Sequence, residues 1–193
     1  MRGLGFIGKF KLIAFGSSAG GFKLYKQLFS LLDVSFSLPI VITQHIDQNT
    51  DADFTEIFHE LSYLDVKTGE DGEALKKGTI YFAPPNYHML ISEDLHIVLN
   101  TDELLHYSRP SIDMMFESVA GSIKQDAVGI ILSGSNKDGA IGLKSISENG
   151  GYTIIQTIED AEYSEMPSAA LNLVTPTKMM NILEIADWLN NYE

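Results

Sequence analysis

Four short apolar runs constrain the fold of this chain more than any other feature of its sequence. They are Lys11–Phe15, Pro39–Thr43, Ala127–Leu132 and Tyr152–Gln156. A run that is apolar without alternation is typical of a strand buried on both faces, as in a parallel sheet. Apolar residues at helical spacing follow these runs. The alternation predicts an α/β fold, a doubly wound sheet with right-handed connections.

The segment near residues 79–99 departs from this pattern. Turn residues at 84–86 and 92–94 separate three short apolar segments there. Connections this short join antiparallel neighbours rather than parallel ones. We therefore expect a mostly parallel sheet with an antiparallel strand excursion near residues 79–99. The predicted strands of this excursion are Thr79–Ala83, His88–Ile91 and Leu95–Leu99.

Length, charge and cysteine content limit the classes of function. A chain of 193 residues predicts one domain, spanning residues 1–193. The formal net charge of -13 argues against nucleic acid and anionic membrane surfaces as partners. The absence of cysteine excludes disulfides and a catalytic thiol, and it fits a reducing compartment. No run reaches the roughly 18 apolar residues of a membrane span, so we expect a cytoplasmic protein without membrane insertion.

Three residues with hydrolase chemistry follow three of the predicted strands. Ser18 follows the first strand, His45 the second, and Asp138 the strand at 127–132. The carboxyl ends of parallel strands meet at one edge of the sheet, where α/β domains bind ligands. A hydroxyl nucleophile, a histidine base and an acid that orients the base are what acyl transfer requires. The sequence therefore predicts a Ser-His-Asp site at this edge.

Each of these residues also has a structural explanation. A serine in a strand-to-helix turn is usually a helix cap, and Ser17 is a better candidate than Ser18 for that role. An aspartate before glycine, as at Asp138, is most often a turn residue. The joint placement carries the hypothesis, because His45 is the only one of the five histidines that follows a buried strand.

The glycine-rich turn at residues 16–21 fits several known patterns in part. Gly16-x-Ser18-x-Gly20 fits the nucleophile elbow of α/β-hydrolases. In that fold, however, the histidine comes last in the chain, whereas the last histidine here is His106. The dinucleotide-binding pattern needs glycine where Ser18 stands, and no Gly-Lys-Ser/Thr sequence follows for a phosphate-binding loop. A nucleotide-binding domain is therefore the weakest of the alternatives.

The motifs taken together resemble those of the catalytic domain of the bacterial chemotaxis protein-glutamate methylesterases, the CheB family. The resemblance runs from about Lys11 to about Leu183, nearly the whole chain. The matching segments are GSSAGG at 16–21, VITQH at 41–45, GEDG at 69–72, KGTIYFAP at 77–84, RPSID at 109–113, ILSGSNKDGA at 131–140, and the positions of Gln156 and Met166-Pro167.

This resemblance implies a serine hydrolase that removes methyl esters from glutamyl side chains of chemotaxis receptors. Ser18 would be the nucleophile, His45 the base and Asp138 the acid, with a covalent glutamyl-enzyme as intermediate. Deamidation of receptor glutamines is implied as a second activity. The expected partner is the cytoplasmic region of a methyl-accepting receptor, and no metal or cofactor is expected.

The resemblance also implies supporting roles for four residues. The backbone N–H groups of Ala19 and Ser135 are expected to bind the oxyanion. Arg109 and Met166 are expected to line the substrate crevice. The alternatives are that Arg109 is an ordinary loop cation and that Met166 is a core residue.

The departures from the family pattern are specific. Ala19 stands where the family has threonine, and Ser135-Asn136 stands where it has Met-Gly. Family members commonly carry a receiver domain before the catalytic domain. Only about ten residues precede the first strand here, so we expect no receiver domain in this sequence, and the regulator stays unidentified. The departures keep a second hypothesis open, a catalytically degenerate module that binds a receptor or signalling partner.

Overall fold

A computed structural model describes residues 10–45, 54–105 and 108–192 of the chain. The strands in these residues are β1 (Leu12–Ser17), β2 (Ile40–Gln44), β3 (Asp65–Thr68), β4 (Thr79–Phe82), β5 (His88–Ile91), β6 (Ile97–Asn100), β7 (Ala127–Ile131), β8 (Tyr152–Gln156) and β9 (Lys178–Met180). The helices are α1 (Gly21–Leu31), α2 (Phe54–His59), α3 (Ile112–Ile123), α4 (Ala140–Glu148), α5 (Glu165–Leu171) and α6 (Ile182–Asn191), with a 3-10 turn at Lys124–Asp126.

Seven strands form one parallel sheet in the order β3-β4-β2-β1-β7-β8-β9. β1 lies near the centre, and all six of its residues are buried. Its side chains alternate between two cores. Ile13 and Phe15 pack with α1, α2 and α6 on one face, and Leu12 and Ala14 pack with α3, α4 and α5 on the other. This arrangement confirms the predicted doubly wound, mostly parallel sheet.

The antiparallel excursion is narrower than the sequence predicts. Among the strands of the described residues, only β5 and β6 pair antiparallel, with His88 opposite Asn100 and Ile91 opposite Ile97. The segment Thr79–Phe82 instead joins the main sheet as β4, parallel to both β2 and β3. Its four residues are buried, as expected for an interior strand of a parallel sheet.

Two edge strands, β3 and β9, are not predicted from the sequence. β3 reads DVKT and β9 reads KMM, so neither shows a continuous apolar run. Each lies at an outer edge of the sheet, where only one side of the strand has a hydrogen-bonded neighbour. Edge strands of this kind are short and carry charged residues, which hides them from hydrophobic patterning.

The strand order fixes where a ligand can bind. After β1 the chain runs outward through β2, and it later returns to place β7 on the opposite side of β1. The connections therefore diverge on the two sides of β1 and leave a crevice beyond the carboxyl ends of these strands. The residues that directly follow β1, β2 and β7, which are Ser18, His45 and Leu132, lie at this edge of the sheet. No helix in the described ranges is long and apolar enough to cross a membrane.

We expect the core beneath α3 to control the stability of the whole sheet. Phe116 is fully buried between α3 and the sheet, so Phe116→Ala should lower the free energy of unfolding by about 3–5 kcal/mol. Glu117→Ala on the exposed face of the same helix should change it by less than about 0.5 kcal/mol. Urea denaturation of the three proteins measures both values. Equal effects for the two variants would contradict this account of the core.

Candidate active site

Ser18 and His45 lie beside each other at the carboxyl ends of adjacent strands. The parallel register pairs Ser17 with Gln44, so the next residues of the two strands are neighbours. The backbone N–H of His45 donates to the carbonyl of Ser17 at 3.0 Å, and that of Ser18 donates to the carbonyl of Ser133 at 3.0 Å. The ends of β1, β2 and β7 are thereby held together around the crevice.

The turn after Ser18 needs glycine at its sharpest point. Gly20 has a φ of 83° and precedes α1 as its N-cap. A Cβ at this position would also lie 2.7 Å from Ser133 Oγ, so both the conformation and the space exclude other residues. The suggestion that Ser17 caps the helix is wrong, because Ser17 lies within β1 and its hydroxyl is engaged elsewhere.

A buried polar network supports the backbone of both residues. Ser17 Oγ donates to Gln44 Oε1 at 2.6 Å and lies 2.6 Å from the Tyr25 hydroxyl. The Gln44 amide in turn donates to the carbonyls of Ser18 and His45, each at 2.8 Å. Burial raises the pKa of Tyr25 far above its usual range, so its hydroxyl keeps the proton that it donates to Ser17. Gln44 thus fixes the backbone of Ser18 relative to that of His45.

His45 and Asp138 are hydrogen-bonded through their side chains. His45 Nε2 lies 2.8 Å from Asp138 Oδ2, with 10% of the histidine side chain and none of the aspartate side chain exposed. The ring nitrogen that is left for any other partner is therefore Nδ1. This pair has the geometry of a base and the acid that orients it.

The Asp138 carboxylate is held at the N-terminus of α3. Ser111 Oγ and the Asp113 N–H donate to Oδ1, each at 3.0 Å, and the Ile112 N–H donates to Oδ2 at 2.7 Å. These backbone N–H groups belong to the first turn of the helix, which has no acceptors of its own for them and carries partial positive charge.

These donors determine the charge state of Asp138. Burial on its own would raise the pKa of the Asp138 carboxyl group. The hydrogen bonds from His45 and from the N–H groups of Asp113 and Ile112 outweigh burial and bring the pKa below its usual range. The site therefore contains a buried carboxylate that stays ionised at neutral pH.

Ser111 hydrogen-bonds Asp138 and is itself bonded by His88, two residues for which the sequence predicts no function. Ser111 also caps α3, accepting from the Met114 N–H through the oxygen that bonds Asp138. The fully buried His88 accepts from the Ser111 N–H at Nδ1, at 3.1 Å, and its Nε2 lies 3.2 Å from the Glu103 carbonyl. The only sequence signal was a histidine in an apolar strand, which does not reveal a partner 23 residues away.

Asn136 bridges His45 and Asp138, although from the sequence it stands out only as a departure from the family pattern. Its Oδ1 accepts from the Asp138 N–H at 3.0 Å, and its Nδ2 lies 3.1 Å from His45 Nδ1. Because a backbone N–H can only donate, Oδ1 must face Asp138 and the NH₂ group must face the ring. Nδ1 is then the acceptor, and Nε2 carries the proton that points to Asp138.

Two backbone N–H groups near Ser18 are available to a ligand. Within the described part of the chain, the N–H groups of Ala19 and Ser135 donate to no acceptor. The Ser18 N–H is committed to Ser133, so it cannot serve the same purpose. The Ala19 carbonyl accepts from Ser133 Oγ at 2.8 Å, which orients the peptide next to the nucleophile turn. Ala19 and Ser135 stay the candidates for an oxyanion hole.

Arg109 lies in a loop and Met166 lies in the core, which are the two structural roles named above as alternatives to lining the crevice. Arg109 Nη1 donates to the carbonyls of Thr101 and Asp102, at 2.8 and 2.9 Å. Met166 is fully buried against Gly134, in the loop that follows β7. A substrate contact for either residue stays a prediction. No group of three or more potential ligand side chains in residues 10–45, 54–105 and 108–192 is arranged to hold a metal ion.

The sequence is similar along most of its length to one known family. The family model described as CheB methylesterase matches residues 13–189. A Leptospira interrogans protein provisionally named protein-glutamate methylesterase/protein-glutamine glutaminase is 38% identical over 178 residues, which is 92% of each chain. A Photorhabdus laumondii protein named protein-glutamate methylesterase/protein-glutamine glutaminase is 35% identical. The match covers 91% of this chain and 51% of that protein.

One solved structure is similar along nearly all of its length. It is the crystal structure of the Thermotoga maritima CheB methylesterase catalytic domain, with a TM-score of 0.90 and 26% sequence identity. The alignment covers 95% of this chain and 99% of that one. The arrangement of strands and helices described above is therefore that of a known catalytic domain.

Asp138→Asn tests the ionised state of this carboxylate. Because its pKa is lower in the folded protein, ionised Asp138 stabilises the fold above the ordinary carboxyl pKa of about 4, and this stabilisation is lost as the pH falls through the folded value. We expect the variant to lose about 1.5–3 kcal/mol at pH 7 and progressively less below pH of about 4. Urea denaturation between neutral and acidic pH measures this difference, and a difference that grows on acidification would refute it.

Proposed function

This chain belongs to the CheB methylesterase family, and we propose that it hydrolyses methyl esters on glutamyl side chains of chemotaxis receptors. The observation that carries the proposal is the 2.8 Å hydrogen bond between His45 Nε2 and Asp138, next to Ser18 at the adjacent strand end. A base oriented by a buried carboxylate beside a serine is the arrangement that nucleophilic ester hydrolysis needs.

The first half of the reaction transfers the acyl group to the enzyme. Ser18 Oγ attacks the ester carbonyl while its proton passes to His45, and Nδ1 is the nitrogen that accepts it because Nε2 is bonded to Asp138. The carbonyl oxygen becomes negative and is bound by the N–H groups of Ala19 and Ser135. His45 then returns the proton to the methoxide oxygen, methanol leaves, and a glutamyl ester of Ser18 remains.

The second half repeats these steps with water. Water attacks the glutamyl ester while Nδ1 of His45 takes its proton. The Ser18 oxygen leaves and recovers that proton, which regenerates the enzyme and releases a free glutamate side chain. Asp138 stays ionised throughout and stabilises the imidazolium that forms twice in each cycle.

The same site accounts for a second activity. The relatives carry the name protein-glutamine glutaminase beside protein-glutamate methylesterase. A glutamine side chain would form the same acyl-enzyme and release ammonia instead of methanol, with His45 supplying the proton. We propose the cytoplasmic region of a methyl-accepting receptor as the partner and the cytoplasm as the place where the enzyme acts.

One observation favours the non-hydrolytic alternative. The Asn136 amide is hydrogen-bonded to Nδ1 of His45, the nitrogen that would accept the serine proton. Such a contact would do no harm in a module that binds receptors without cleaving them. A fluorophosphonate probe separates the two functions, since it labels an activated serine and not an inert one. Labelling at Ser18 supports the hydrolase, and a protein that binds receptor but resists the probe would be the module.

We predict that Ser18→Ala and His45→Ala each lower kcat for methanol release from a methylated receptor by at least about a thousandfold. The serine supplies the covalent bond and the histidine the proton transfer, so neither can be replaced by solvent at a comparable rate. Ser30→Ala, an exposed serine of α1, is the matched control and should keep wild-type turnover. Near-wild-type turnover in either site variant would rule out the mechanism.

We propose that Arg109 orients the substrate through the segment it holds. Its bonds to the carbonyls of Thr101 and Asp102 fix a loop that follows the β5–β6 hairpin. Arg109→Ala should therefore raise KM several-fold while lowering kcat by less. Steady-state kinetics on a methylated receptor measures both constants. The opposite pattern, a fall in kcat at constant KM, would reject this role.

A further inference from the structure

The hydrogen bonds around His45 show which group occupies its basic nitrogen in the free protein. Nε2 is bonded to Asp138, and the Asn136 amide lies 3.1 Å from Nδ1. Within the described residues, Ser18 Oγ donates to no acceptor. The lone pair that should take the serine proton is therefore held by a neighbouring amide rather than by the nucleophile.

The orientation of the Asn136 amide follows from its second bond. Its Oδ1 accepts the Asp138 N–H at 3.0 Å, so a flipped amide would place its NH₂ group against another donor. The same bond ties Asn136 to the residue that holds the other side of the ring. Asn136, His45 and Asp138 thus form a closed loop of three hydrogen bonds.

From this geometry we infer that Asn136 is a positioning residue that covers Nδ1 of His45 in the resting enzyme and must turn away before Ser18 can be deprotonated. The inference rests on the hydrolase function proposed above. Asn136 keeps the ring in the tautomer that a base needs, with the proton on Nε2. It also competes with the serine hydroxyl for the lone pair of Nδ1.

The competition becomes repulsion once the proton moves. A protonated Nδ1 is a donor, and the NH₂ group of Asn136 facing it is also a donor. Rotating the amide by half a turn would satisfy Nδ1 but would turn the NH₂ group towards the Asp138 N–H. Either arrangement loses a hydrogen bond, so the catalytic cycle requires Asn136 to leave the ring.

The position of Asn136 allows that movement. It lies between Ser135 and Lys137, which are both exposed, and is itself only partly buried. Both hydrogen bonds of Asn136 are made by its side-chain amide, which is not packed in the hydrophobic core. A substrate that fills the crevice can therefore displace this amide without unfolding a helix or strand.

Nitrogen NMR of His45 tests which group bonds Nδ1. In Ser18→Ala the Nδ1 resonance should stay at its wild-type position, because Asn136 and not Ser18 occupies the nitrogen. Adding Asn136→Gly to that variant should move the resonance to the position of a bare imidazole nitrogen. A shift in Ser18→Ala alone, or no further shift in the double variant, overturns the inference.

The rate of fluorophosphonate labelling at Ser18 tests the consequence. Asn136→Gly frees Nδ1 for the serine, so labelling should become about three- to tenfold faster, the effect of one net hydrogen bond. Asn136→Asp keeps an acceptor for the Asp138 N–H but places a carboxylate against the His45 ring. Because this carboxylate favours a proton on Nδ1, labelling should become slower. Lys137→Ala, an exposed neighbour, is the matched control and should label at the wild-type rate.

Opposite effects of the two Asn136 variants distinguish this role from simple support of the loop. If Asn136 only built the loop, Asn136→Gly would slow labelling and Asn136→Asp, which keeps the bond to the Asp138 N–H, would change it least. That result would overturn the inference. Failure of the proposed function looks different, because the wild-type protein itself would then resist the probe, while the NMR comparison would still report on Nδ1.

Discussion

The Asp138 carboxylate at the N-terminus of α3 is the interaction on which the rest of the site depends. A fully buried anion is unfavourable unless donors surround it, and here a serine hydroxyl, two helix N–H groups and a histidine ring all face it. Those donors come from two separate parts of the chain, the start of α3 and the end of β2, and Asp138 itself follows β7. The carboxylate therefore joins β7, α3 and the end of β2, and it gives His45 a fixed orientation before any substrate binds.

The two-sided sheet is what keeps this arrangement rigid. β1 is buried on both faces, so the turn carrying Ser18 starts from a strand that cannot shift without disturbing two cores. Gln44 then ties the carbonyls of Ser18 and His45 together. Among the described residues, Asn136 is the side chain that hydrogen-bonds the His45 ring from a partly exposed loop, so this contact is held less firmly than the buried one to Asp138.

The sequence predicted those features that depend on local pattern, and missed those that depend on distant partners. Continuous apolar runs identified β1, β2, β7 and β8, since strands buried on both faces have no other pattern. The same criterion assigned Thr79–Phe82 to the antiparallel excursion, because a buried strand does not show which neighbour it pairs with. It missed β3 and β9 because edge strands carry charged residues. The placement of Ser18, His45 and Asp138 at one edge could be predicted because the carboxyl ends of parallel strands meet there. Ser111 and His88 instead act through long-range hydrogen bonds that no sequence spacing reveals.

Asn136 shows why a site can match its family in residue types and still differ in its resting state. The proposed acid, base and nucleophile are the residue types that the family resemblance implies, whereas Asn136 adds a hydrogen bond to the proposed base. The amide gains two bonds in the free protein, one to the base and one to the Asp138 backbone. The hydrogen bond to Nδ1 of His45 has to be broken before the serine proton can move to that nitrogen. A residue that orders the free site therefore slows the reaction unless the substrate displaces it, which makes the loop between β7 and α4 the part of the chain where substrate binding and chemistry are coupled.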